Sequence, residues 1–208
     1  WWIHLHLSVS PESEIIKLMS RSVRNMWKAK LEGRPTGRSP APRASRASGV
    51  KNGALLLGVD SSLRGKGIAV VKRIRSDVFE LLYSSTIKIA PKIPVSDALG
   101  IISTELDKLL SEYPVEFAAF EETIYVQNYK TAHTLGAARG VALAAVAKRH
   151  IPIAEYAPLS IKQAVVGTGR ASKQQVASMT ASLLSLEEAL PLDESDAAAC
   201  AICHAFRA

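Results

Sequence analysis

"ALLLGVD", residues 54–60, is an apolar run carrying one glycine and closed by an acid. With no polar residue alternating through it, the run suits a central strand buried on both faces, whose end emerges at Asp60. "GIAVVKRI" (67–74) and "FELLYSSTIKI" (79–89) read as the next two strands of a meander. Ser96 is positioned to cap a helix running to about Tyr113, with Leu99, Ile102, Leu106, Leu109 and Leu110 on its apolar face. "VEFAAFEE" (115–122) is a second buried strand ending in acids, and a small-residue helix follows over about 131–149. A short strand in "PIAEYAP" and helices near 160–166, 172–186 and 193–206 complete the chain. This order predicts an α/β layer fold, a mixed five-stranded sheet flanked by helices on both faces.

The chain has 208 residues, 48% of them hydrophobic, enough to bury a substantial core. No apolar run approaches the length of a membrane span, so no membrane partner is expected. The formal charge of +7 resides wholly in residues 1–52, which hold 10 basic and 3 acidic residues, against 16 and 16 in residues 53–208. Residues 33–52, "GRPTGRSPAPRASRASGVKN", lack acids and are rich in Gly, Pro, Ser and Arg, the composition of a linker or disordered basic tail. The reading divides the chain into an N-terminal extension, 1–52, disordered or non-native, and a globular domain, 53–208. Translated upstream sequence before a start at Met19 or Met26, and an organellar transit peptide, are the alternatives for the extension. Cys200 and Cys203 lie three apart on one predicted helix and read as small core residues in a reduced, cytoplasmic setting. His204, on the same helix, reads as an ordinarily hydrogen-bonded histidine.

Two predicted strands end in acid, at Asp60 and Glu121, and in open α/β sheets ligands gather at the carboxyl ends of strands. "PLDESDAAACAICHAF" (191–206) adds Asp193 and Asp196, which share one helix face at spacing i, i+3, in a first turn whose dipole favours their ionised form. Carboxylates converging from distant segments repel unless a cation joins them. Oxygen ligands without Cys or His select Mg²⁺ or Mn²⁺, and two such ions are suited to in-line phosphoryl transfer. Taken singly, each acid is better accounted for by solvation or helix capping; their joint occurrence carries the reading. Glu122 and Glu194 leave the shared faces and are expected to be solvated.

"FEETIYVQNYKTAHTLGAARGVALAA", "EYAPLSIKQAVVGTGRASKQQVASM" and "DESDAAACAICHA" together resemble the RuvC family of Holliday-junction resolvases, over roughly residues 55–206. The resemblance implies an RNase H-like fold and a homodimeric, Mg²⁺-dependent endodeoxyribonuclease of DNA recombination and repair. Such an enzyme nicks four-way junction DNA symmetrically, leaving 5′-phosphate and 3′-hydroxyl ends. It implies Asp60, Glu121, Asp193 and Asp196 as metal ligands, two ions per site, and a RuvA and RuvB branch-migration complex as partner. Lys162 and Lys173 match the family's DNA-contacting lysines, with Arg170 a weaker candidate. In "TIYVQNYK", Ile124 stands where the family carries an aromatic, leaving Tyr125 or Tyr129 to offer a stacking face. "DSSLRGKGIAV" departs from the family's usual turn after the first acid, although Gly65 and Gly67 keep its turn character. Gly136, Gly140 and Ala144 form a small-residue face that either packs on its own sheet or, as the resemblance implies, pairs two subunits. The rival readings are another RNase H-like structure-specific nuclease and a catalytically silent junction-binding scaffold.

Overall fold

In the computed structural model, which describes residues 49–60, 62–122 and 128–208, the run after Ala54 is the central strand of a five-stranded sheet. β1 (Leu55–Val59) pairs antiparallel with β2 (Gly65–Arg75) and parallel with β4 (Phe117–Glu121). β3 (Val78–Lys88) and β5 (Ile153–Tyr156) are the edges, giving the order β3-β2-β1-β4-β5. The meander, the mixed sheet and the strand count are those expected. Helices α1 (Val95–Glu112) and α2 (Tyr129–Ala147) cover one face; α3 (Pro158–Val166), α4 (Lys173–Leu183) and α5 (Leu192–Arg207) cover the other.

The uniform apolarity of β1 follows from these two layers. Leu57 and Val59 pack with Ile102, Leu106 and Val146 on the α1–α2 side, while Leu56 joins Val71 and Ile202 on the α5 side. Each fully buried leucine of this kind contributes about 1.5–3 kcal/mol. In α5, Ser195 and every residue from Ala197 to Ala205 are buried. Its small side chains let the helix backbone run against the sheet. A β-carbon at Gly58 would collide with the Ala197 carbonyl, and one at Gly67 with the Asp193 carbonyl. These two glycines are needed for want of a side chain, and they set the height of α5 above β1 and β2.

The helix starts differ from expectation by one or two residues, for local reasons. α1 begins at Val95, with Ala98 donating to the Pro94 carbonyl at 3.0 Å, so Ser96 lies inside the first turn and donates to Asp97. α2 begins at Tyr129 because the Asn128 side chain accepts from the Lys130 and Thr131 amides at 2.9 and 3.2 Å. Cys200 and Cys203 are buried free thiols in the core, and the Tyr156 hydroxyl lies 2.8 Å from Nδ1 of buried His204, as their sequence context suggested. Among the described residues no helix is long and apolar enough to cross a membrane.

Candidate active site

Because β1 and β4 are parallel neighbours with Val59 opposite Phe120, extending the register by one residue places Asp60 beside Glu121 at their carboxyl ends. The Asp60 amide donates to the Gly67 carbonyl at 2.9 Å, which fixes the turn out of β1. The two carboxyl groups share a hydrogen bond. Burial, then the charges of Asp60 and Asp196, push Glu121 up to about 7. The cause is elementary: neighbouring carboxylates removed from water do not both ionise readily.

α5 brings the third acid. Its N-cap is Pro191 and no side chain caps its first turn, so Asp193 has no capping role there. Asp196 is largely buried, and the Lys173 ammonium, from the first residue of α4, donates to its Oδ2 at 2.8 Å. That hydrogen bond, with the fields of Asp196, Asp60 and Glu121, raises the Lys173 pKa. Asp193 lies one turn before Asp196 against the start of β2, where a β-carbon added to Gly65 would sit 3.2 Å from its Oδ2. The structure therefore joins Asp60, Glu121, Asp196 and Lys173 and sets Asp193 at the edge of that group. Among the described residues no three acidic, His or Cys side chains stand ready-made as an ion cage. The donor chemistry nevertheless suits a hard cation. All the donors are carboxylate oxygens, two of them side by side at the ends of parallel strands, and a lysine is drawn onto the third.

The remaining expected residues are distributed around this centre. Lys162 is half-buried on α3 and Arg170 is exposed in the turn before α4. That turn opens with Gly167 in the left-handed region at φ 83°. Tyr129 is 80% exposed at the start of α2, its ring 6.2 Å from that of His133, whereas Tyr125 and Ile124 lie outside the described residues. Gly136, Gly140 and Ala144 form an exposed stripe on α2, and a β-carbon at either glycine would meet nothing within 4 Å. Packing on their own sheet is done instead by Ala138, Ala142, Ala145 and Val146.

Glu122 is exposed, as expected. Glu194 is not solvated: Ser84 and Thr86 of β3 donate to its carboxylate at 2.6 and 3.2 Å, because α5 crosses the sheet far enough to reach that edge strand. Two basic residues escaped the sequence reading. The buried Lys66 donates from Nζ to the Asp60 carbonyl at 2.9 Å. Arg139 donates to the Glu121 carbonyl at 2.6 Å and pairs with Glu155 at 2.8 Å. Arg139 is the one charged residue between Lys130 and Lys148, a signal present in the sequence.

A pH dependence follows from Glu121. Its pKa is raised on folding, so its contribution to stability is complete below the ordinary value of 4.5 and is lost as pH rises through about 7. Metal-free protein should show a Tm that declines across that window. Glu121→Gln should flatten the decline, as measured by calorimetry at constant ionic strength.

Residues 56–204 match the family model described as crossover junction endodeoxyribonuclease RuvC. The crossover junction endodeoxyribonuclease RuvC of Alkaliphilus metalliredigens is 41% identical over 152 residues, covering 73% of this chain and 92% of the relative. The Bordetella parapertussis protein of the same name is 40% identical over 152 residues, covering 72% and 82%. Among solved structures, T. thermophilus RuvC in complex with a Holliday junction substrate matches with a TM-score of 0.70 at 31% identity, covering 74% of this chain and 93% of that one. The yeast mitochondrial Holliday junction resolvase Ydc2 matches with a TM-score of 0.52 at 12% identity, covering 76% and 80%, a likeness of fold alone. With its acids on adjoining parallel strands and on the helix crossing them, and with this similarity over most of its length, the chain belongs to the RuvC family of crossover junction endodeoxyribonucleases.

Proposed function

We propose that this chain resolves Holliday junctions as a homodimer, each subunit nicking one of two equivalent strands of a four-way DNA junction with the help of two Mg²⁺ or Mn²⁺ ions. The observation that carries the reading is the meeting of Asp60, Glu121 and Asp196 at the carboxyl ends of β1 and β4, in a chain of this family. Asp60, Glu121, Asp193 and Asp196 are the residues that would hold the metal. When bound, divalent metal supplies activation of water and charge compensation at the leaving oxygen. The chain's own part is to aim these carboxylates and to bring in DNA. Lys173, exposed along much of its length yet anchored at Asp196, meets a phosphate approaching the acids; Lys162 and Arg170 extend that basic edge along the backbone. The exposed ring of Tyr129 offers a face on which an unpaired base can stack.

The test is a junction-cleavage assay with end-labelled strands and Mg²⁺, run beside linear duplex and RNA–DNA hybrid. Paired, symmetric nicks with 5′-phosphate ends on the four-way junction are expected; preference for the hybrid would sink the proposal. Branch-migration partners of the RuvA and RuvB type and a cytoplasmic location belong to the same reading; residues 1–48 of the N-terminal extension lie outside the described residues.

The open stripe on α2 supports the dimer, since absent side chains let two such helices approach closely. Gly140→Gln should weaken self-association about tenfold or more, while the Tm of the dilute, dissociated chain holds or rises because helix propensity improves by several tenths of a kcal/mol. Sedimentation velocity and a thermal melt check the two halves of this prediction.

A further inference from the structure

Behind the two strand-end acids lie two cations, each bound to a main-chain carbonyl rather than to the carboxylate beside it. Lys66 donates to the carbonyl of Asp60 at 2.9 Å, and Arg139 to that of Glu121 at 2.6 Å. Arg139 has further partners, Glu155 at 2.8 Å and the face of Phe120, 6.0 Å from guanidinium to ring centroid. Lys66 sits on the second residue of β2, between two glycines, and its relative exposure is 0%. An ammonium shut away from water costs several kcal/mol unless nearby negative charge offsets it. Holding one carbonyl in place does not call for such a group, because an uncharged amide or hydroxyl donates equally well.

What a lysine adds is charge. Its Nζ stands 2.9 Å from the main-chain oxygen of Asp60, at the base of the acid cluster.

We propose that Lys66 is a resident cation of the acid cluster, a positioning residue whose fixed positive charge offsets part of that of Asp60 and so weakens divalent-metal binding by the DNA-free chain. Tight loading then waits for the phosphates of the substrate, which restore the negative charge that Lys66 cancels. The inference rests on the reading that Asp60 and Glu121 hold the metal, and the experiment separates the two.

The experiment is Mn²⁺ binding to the full chain without DNA, read from the electron paramagnetic resonance signal of free Mn²⁺, with thermal melts to verify folding. Lys66→Gln removes the charge but keeps an N–H donor for the Asp60 carbonyl; Lys66→Met removes both; Lys66→Arg keeps both. Lys66→Gln and Lys66→Met should each bind Mn²⁺ about tenfold more tightly than wild type, the scale expected for removing a unit charge a few ångströms from a divalent ion behind partial screening. Lys66→Arg should bind like wild type. Unchanged or weaker binding in Lys66→Gln overturns the proposal, since a lysine that only orients the strand end predicts that result. Should Lys66→Met not fold, Lys66→Gln alone decides. Asp60→Asn is the control for the underlying reading: if it binds Mn²⁺ as wild type does, the metal assignment fails whatever the Lys66 variants do.

Discussion

Glu121→Gln should lower the rate of junction nicking by about 10²–10³-fold, the scale seen when one preorganised polar group is removed from a catalytic centre. Glutamine keeps the size of the side chain and its capacity to hydrogen-bond with Asp60, but cannot take up negative charge. The loss therefore isolates the anion. Burial and the neighbouring acids hold Glu121 near 7, so the wild-type site is built to resist this charge until a cation arrives. The same substitution should leave metal-free protein at least as stable as wild type above that pH, since the ionised form is what folding disfavours. Junction affinity in a gel-shift assay without metal should be retained. Nicking by Glu121→Gln at the wild-type rate would show that this carboxylate takes no part in the chemistry.

Gly67→Ala should be, with Gly58→Ala, among the most damaging single methyls in the domain. The added carbon lands on the Asp193 carbonyl, a backbone atom in the first turn of α5, and no side-chain rotation relieves that overlap. Overpacking costs about 1–3 kcal/mol where neighbours can shift, and the upper end is expected where the neighbour is main chain. The displaced turn is the one that carries Asp193 and Asp196, so activity should fall along with stability. Gly100→Ala, on the exposed side of α1, serves as the control: its β-carbon enters open space, and the helix should gain slightly. Urea midpoints of Gly67→Ala and Gly100→Ala, with nicking rates measured on the same preparations, make the comparison.

The legible parts of the fold were those written as local pattern. β1 announced itself because a strand between two helical layers has no polar face, and α1 because its buried positions recur at helical spacing. Asp60 and Glu121 were legible for a related reason, since a charged residue at the end of an all-apolar strand marks where that strand leaves the core. Lys66 was not legible. Two glycines and a lysine at a strand entrance look like a solvated turn, whereas the alternation of β2 sends the Lys66 side chain, with Ile68 and Val70, to the face covered by α1 and α2, where it is buried. Glu194 was misread because a helix pattern gives the direction of a side chain on its own axis but not which strand the helix crosses. Ser84 and Thr86, its partners, are 110 and 108 residues away.

The route by which α5 closes the acid cluster bears on when a newly made chain becomes dangerous to DNA. β1, β4 and α5 are far apart along the polypeptide, and α5 is the last described element. As the polypeptide emerges from the ribosome, Asp60 and Glu121 can meet early, while Asp196 and the turn that seats it follow only when the final helix slides over the glycines of the first two strands. The acid cluster is thus incomplete until α5 is seated, and a chain terminated before α5 lacks Asp193 and Asp196 altogether.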